Sequence, residues 1–223
     1  ISACLVGSEM CIRDRDISNN AKKARPSSTL SISSNANRMI DEGIDIVNFS
    51  AGEPDFNTPD YIKEAAIEAI NDNFTKYTPY EGIVELRQAV ADDLKKNCDL
   101  DYTPEQIVIS NGSKHAITNA FMAILNPGDE VIVPAPYWNS YIDIIELCYG
   151  VPVVVNTTKQ NSFKVTVEQL EEAVTDKTKA IIINSPNNPT GMVYSREELE
   201  EIADFAVKHD LFAVSYTHLT LPT

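Results

Sequence analysis

Three short stretches carry residue types that could do chemistry, and each follows a run of β-branched residues. "IVIS" leads into "NGSKHA" (111–116), "VIVP" into "APYWNSY" (135–141), and "AIIIN" into "SPNNPTG" (185–191). In the first, Gly112 lets the backbone approach an anion closely and Ser113 stands where a helix starts. Unpaired N–H groups and the positive end of the helix dipole favour a phosphate at such a point. Lys114 adds a cation in the first turn, where it opposes the dipole by roughly a few tenths of a kcal/mol or more, and a bound anion would remove that conflict. An ordinary Ser-capped helix with an exposed lysine describes the same residues equally well. "SPNNPTG" is stiff enough to present an amide at a fixed angle, although its composition also suits a plain loop. "APYW" sets Trp138 beside the same sheet edge, with simple packing as the alternative role for a lone tryptophan.

These loops need a scaffold, and the pattern along the chain supplies one. A helix is expected from about Ser31 to Glu42, and another from an N-cap at Thr58 with Pro59 at its first position to about Asn71. A third follows Gly82, with Ile83, Leu86, Val90 and Leu94 on one face. Strands and helices then alternate. The expected strands are "QIVIS", "EVIVP", "VPVVV", "AIIIN" and "LFAVS", and the expected helices are "SKHAITNAFMAIL", "WNSYIDIIELC", "TVEQLEEAV" and "SREELEEIADFAVKH". Ser195 with Glu198, and Thr166 with Gln169, read as capping boxes. Unbroken apolar runs between amphipathic helices predict an α/β fold, a mostly parallel sheet covered on both faces. Ligands gather outside the carboxyl ends of such strands, which is where all three loops fall.

Composition narrows the function classes. The formal net charge is −15, so a phosphate backbone would repel the chain and nucleic acid is not expected as a partner. No apolar run approaches a membrane span. Cys98 and Cys148 stand far apart without CxxC or His companions, so neither a metal site nor a disulfide framework is expected, and a cytoplasmic setting is the simplest reading.

The two ends do not read as the rest does. Back-translation of Leu5–Arg15 accommodates TGTATAAGAGACAG, and the junction at Val214 accommodates its reverse complement. The pair resembles the adapters of a transposase-based sequencing library. Residues 1–15 and 214–223 are therefore expected to be adapter-derived scars that pack poorly, and Asp16–Ala213 to be the native insert. Val214 and Ser215 could still extend a genuine strand.

The three loops together resemble those of the pyridoxal-phosphate-dependent aminotransferases of class I/II, fold type I, most nearly the bacterial aspartate aminotransferase subgroup. The resemblance runs in register from about Ile17 to Ala213 through "SAGEPDFNTP", "KYTPYEGIVELRQAV", "GSKHA", "NPGDEVIVPAPYW" and "NSPNNPTG". It implies an N-terminal arm and small-domain segment over 16–58 and an incomplete large, cofactor-binding domain over 59–213. It implies pyridoxal 5′-phosphate as cofactor, with Gly112, Ser113 and Lys114 around the phosphate and Trp138 stacked on the pyridine ring. The Asn188 amide would donate to the ring's phenolic oxygen, and the Gly52 backbone would meet the substrate carboxylate. Lys114, Trp138 and Asn188 would also border the substrate, with Lys114 able to reach an acidic side chain. Tyr77 would donate to the phosphate in a neighbouring subunit, which implies a homodimer acting on amino acids and 2-oxo acids. Cis peptide bonds are implied at Ala135-Pro136 and Asn188-Pro189, and two later strands between "QIVIS" and "LFAVS".

Beyond "LFAVS" the family continues with an aspartate for the pyridine nitrogen, a tyrosine, the Schiff-base lysine and an arginine for the α-carboxylate. None has a counterpart here, and Tyr216 and His218, lying in the adapter-like segment, are not assigned those roles. The sequence therefore predicts a parent aminotransferase and an inactive chain. A lyase of the same fold and a regulatory cofactor-sensing domain are the alternatives.

Overall fold

The computed structural model describes residues 16–23, 28–47, 49, 52 and 55–216. The described residues fall into two compact units, one within 16–23 and 112–216 and the other within 28–111.

In the smaller unit, α1 spans Ser28–Asp41, α2 Asp60–Asn71 and α3 Val84–Cys98. Helix α2 starts one residue later than expected. Pro59, with φ −52° and ψ 142°, is itself the cap residue, and Thr58 supplies no capping bond. Helix α3 ends at Asp99 in the left-handed conformation, φ 55°. A short 3-10 turn at Pro104–Gln106 carries a capping box between Thr103 and Gln106. The expected strand "QIVIS" does not form. Ile107 is extended, φ −115° and ψ 131°, but the segment joins no ladder among the described residues. The Ile109 N–H instead donates to the Glu81 carbonyl at 2.8 Å. An extended run becomes a strand only where another strand meets it.

That contact explains Gly82. Its φ is +101°, and a Cβ added there would lie 2.5 Å from a side-chain carbon of Ile109. Both the backbone angle and the approach of Ile109 require glycine.

In the larger unit, α4 (Gly112–Ile124), β1 (Glu130–Ala135), α5 (Ser140–Leu147), β2 (Val151–Asn156), α6 (Val167–Ala173), β3 (Thr178–Asn184), α7 (Arg196–Lys208) and β4 (Phe212–Tyr216) follow in order. The four strands form a parallel sheet in the order β2-β1-β3-β4. Alternate residues of the central strands go to opposite faces. Val131, Val133, Ala180 and Ile182 pack with Ile117 and Phe121 of α4 and with Tyr141, Ile144 and Ile145 of α5. Ile132, Ile181 and Ile183 pack with Leu170 of α6 and with Ile202 and Phe205 of α7. This is the two-faced α/β layering that the unbroken β-branched runs predict. Asn20 joins this unit too, donating its side-chain amide to the Leu147 carbonyl at the end of α5, at 2.8 Å.

Both capping boxes form as expected. Ser195 accepts from the Glu198 N–H at 3.2 Å and Glu198 accepts from the Ser195 N–H at 2.6 Å, with the same reciprocal pair at Thr166 and Gln169. Strand β4 runs through Tyr216, with Ile182 paired to Val214 and Asn184 to Tyr216. Val214 and Tyr216 pack against the core. Val214 and Ser215 thus extend the strand as the sequence allows, and Tyr216 continues it by one residue, because ladder bonds use backbone groups whatever side chains they carry. Leu5, Met10 and Ile12 lie outside the described residues.

Gly82→Ala should destabilise by about 1–3 kcal/mol, and Phe121→Ala by about 3–5 kcal/mol, in urea unfolding. Ser195→Ala should lose about 0.5–2 kcal/mol. The Glu198 carboxyl is held below its ordinary range, first by the hydrogen bond from Lys164 and then by the Ser195 N–H. A depressed carboxylate stabilises above its unfolded pKa of about 4.3 and loses that contribution as pH falls through its lower folded value. Midpoints measured from pH 6 to pH 3 should therefore fall less steeply in Glu198→Gln than in the unaltered chain.

Candidate functional site

The strand order reverses between β1 and β3. From β1 the chain crosses to β2 on one side, and from β3 to β4 on the other. The loops leaving these two central strands must diverge, and a crevice opens at their carboxyl ends. "APYWNSY" follows β1 and "SPNNPTG" follows β3, so two of the three loops flank it.

Hydrogen bonds fix the two loops to each other. The Asn187 side-chain amide donates to the Pro136 carbonyl at 3.1 Å and to the Thr190 hydroxyl at 2.8 Å. Asn184 accepts from the Asn188 N–H at 2.7 Å and donates to the Tyr216 carbonyl at 2.6 Å, joining the loop after β3 to the end of β4. The peptide bonds at Ala135-Pro136 and Asn188-Pro189 are cis, as the resemblance implies, and so is Ser185-Pro186.

The first turn of α4 completes the neighbourhood. Lys114 Nζ lies 5.4 Å from the centroid of the Trp138 ring. A cation over an aromatic face is attracted by the ring quadrupole, so this lysine, unfavourable to the helix dipole, has an electrostatic partner. Ser113 Oγ is 3.2 Å from the Tyr216 hydroxyl. At Gly112, φ is +75° and an added Cβ would meet no atom within 4 Å, which leaves open space beside the turn's N–H groups. Tyr141 stands edge-on to Trp138 at 5.5 Å and 86°, while Tyr216 stacks on it at 6.2 Å and 18°.

Gly112, Ser113, Lys114 and Trp138 are thus brought together. Asn188 lies on the loop that Asn184 and Asn187 anchor, with its side chain exposed. Gly52 and Tyr77 belong to the other unit, where both are solvent-exposed. Sequence reasoning missed four residues that shape the site: Asn184, Asn187, Tyr141 and Tyr216. The two asparagines sit inside a motif already singled out, so their signal was present without a partner to interpret it. Tyr216 had been set aside with the adapter-like segment, yet its ring lies against Trp138; His218 is outside the described residues.

Tyr141 is buried, and its hydroxyl has no hydrogen-bond partner among the described residues. It borders a void of about 10 Å³ between Pro134, Pro136, Asn184 and Asn187. Burial first, and the nearby Tyr216 second, push its phenol pKa well above the ordinary value, so it stays neutral.

The donor set suits a planar aromatic phosphate such as pyridoxal 5′-phosphate. An anion is served by Ser113, the open turn at Gly112 and the Lys114 cation.

Residues 44–215 match the sequence profile of aminotransferase class I and II. The chain belongs to that family. It is 49% identical over 199 residues to an aspartate aminotransferase of Bacillus sp. (strain YM-2), covering 89% of this chain and 51% of that protein. It is 49% identical over 191 residues to a probable aspartate/prephenate aminotransferase of Aquifex aeolicus (strain VF5), covering 86% and 48%. Among solved structures, the aspartate aminotransferase of Thermus thermophilus with maleate superposes with a TM-score of 0.88 at 44% identity, covering 91% of this chain and 53% of that one. This family member thus spans about half the length of the curated relatives it matches, and its large unit has their fold type I sheet.

Two substitutions probe the site's frame. Tyr141→Phe removes a buried hydroxyl that has no partner, so its thermal midpoint should equal or exceed that of the unaltered chain. Asn187→Ala takes away the bond to Pro136; it should lose about 1 kcal/mol and admit protease faster within 185–191.

Proposed function

We propose that this chain is part of a pyridoxal-phosphate-dependent aminotransferase that exchanges an amino group between an acidic amino acid and a 2-oxo acid. The observation that carries this reading is the approach of the first turn of α4 to Trp138 at the carboxyl end of the sheet, with Lys114 Nζ 5.4 Å from the ring centroid. In this reading the Ser113 hydroxyl and the N–H groups of the first turn of α4 hold the cofactor phosphate. Trp138 stacks on the pyridine ring and the Asn188 amide donates to its phenolic oxygen, held at a set angle by the Asn184 and Asn187 bonds. When bound, the cofactor supplies the electron sink for the amino-group exchange. Lys114, or the Gly52 backbone, meets a substrate carboxylate. The relatives' names support an acidic substrate, since aspartate and prephenate each carry two carboxylates and maleate is itself a dicarboxylate. Tyr77 reaches the phosphate of a second subunit, so the parent acts as a homodimer, in the cytoplasm.

The chain itself does no turnover. The sequence offers no counterpart of the family's lysine, so no amine is positioned to move the substrate α-proton. Nor does the sequence offer a counterpart of the family's aspartate, which would keep a proton on the pyridine nitrogen. Residues 1–15 and 214–223 belong to this proposal as adapter-derived sequence.

The test is recovery of the uninterrupted gene from its source DNA, followed by assay of both proteins for aspartate–2-oxoglutarate exchange. Each is also incubated with pyridoxal phosphate, reduced with borohydride and mapped by mass spectrometry. The parent should turn over and carry one stoichiometric pyridoxyl-lysine absent from this chain. Turnover by this chain, or a parent without exchange activity, would overturn the reading.

A further inference from the structure

We infer that Arg87 is a positioning residue for the loop that carries Tyr77, fixing the backbone from which that tyrosine reaches the phosphate in a second subunit. The inference rests on the reading of Tyr77 as that phosphate's ligand. The loop leaves α2 in a tight turn, with Asn73 left-handed at φ 59° and the Phe74 N–H donating to the Ala69 carbonyl at 2.9 Å. At its other end the Gly82 N–H donates to the Pro79 carbonyl at 3.0 Å, and the Glu81 carbonyl accepts from the Ile109 N–H at 2.8 Å. Between these ends Tyr77 and Tyr80 stand fully exposed. An exposed tip takes its direction from the ends of its loop.

Arg87, in the first turn of α3, secures the second end. Its Nε donates to the Gly82 carbonyl at 3.1 Å and its Nη1 to the Pro104 carbonyl at 2.8 Å. The partly buried guanidinium thus ties the last residue of the loop to the segment that leads into Ile109, the residue an added Cβ at Gly82 would strike. Both acceptors are backbone carbonyls, so the fork fixes where the chain runs. A planar guanidinium serves two acceptors at set angles, whereas a lysine ammonium on its flexible stem does not.

The first arm of the test uses the full chain. Amide exchange over residues 75–82 should quicken several-fold in Arg87→Met and in Arg87→Lys, while the strands of the larger unit keep their protection. Circular dichroism verifies that both variants fold. Unchanged exchange over 75–82 in either folded variant would overturn the inference. The second arm uses the recovered parent and measures its affinity for pyridoxal phosphate. Tyr77→Phe, which removes one hydrogen bond to a charged group, should weaken binding about tenfold. Arg87→Met should weaken it by a similar factor, and the double variant no more than Tyr77→Phe alone, because the arginine acts only through the tyrosine. A purely structural arginine would instead add its loss to that of Tyr77→Phe. That additivity would overturn the inference while leaving Tyr77 as a ligand. Tyr77→Phe without effect on affinity would overturn the reading of Tyr77, and the inference with it.

Discussion

The larger unit depends on the parallel ladder between β1 and β3. Val131 pairs with Ala180 and Ile132 with Ile181, and all four are fully buried. The two pairs point to opposite faces, so two separate apolar clusters are nucleated by one ladder. Helices α4 and α5 are held by one cluster and α6 and α7 by the other. A slip of one residue would exchange the clusters and set Val131 and Val133 against α6 and α7.

The same ladder determines where chemistry can occur. Because β1 and β3 are adjacent while their connections diverge, their following loops face one crevice. Stiff, Pro-containing loops need additional bonds to be held there, and the asparagines of "NSPNNPTG" provide them. Asn184 reaches β4 and Asn187 reaches Pro136, so the loop is tied to both neighbouring elements. The aromatic wall formed by Trp138, Tyr141 and Tyr216 then stands against the first turn of α4, where exposed Lys114 holds its charge 5.4 Å from the Trp138 ring centroid.

Charge plays a different part on the outside. The chain is strongly acidic, and several basic side chains meet its carboxylates. Lys208 and His209 both meet Glu171, at 2.8 and 3.1 Å, linking the end of α7 to α6. Lys164 meets Glu198 at 2.6 Å and secures the start of α7. Both ends of one helix are thereby fastened to the same face of the sheet. Exposed pairs of this kind contribute little individually, so they register the helix more than they stabilise it.

What the sequence determined by itself was local. β-Branched runs, capping boxes at Thr166 and Ser195, and prolines that restrict their own φ act over a few residues, so the helices and the four paired strands were legible with their order and approximate ends. The three loops were legible as a cluster because alternation in an α/β fold sends them to one edge. Tertiary structure decided whatever needs a partner far along the chain. "QIVIS" has a strand's residues but no strand beside it, so Ile109 bonds to Glu81 and demands a glycine at 82. Asn184 and Asn187 were visible as polar residues, but their bonds to Tyr216 and Pro136 span 32 and 51 positions. Tyr216, with no place in any motif, lies on Trp138 because β4 pairs in register with β3, and backbone pairing carries a side chain to its site whatever that side chain is.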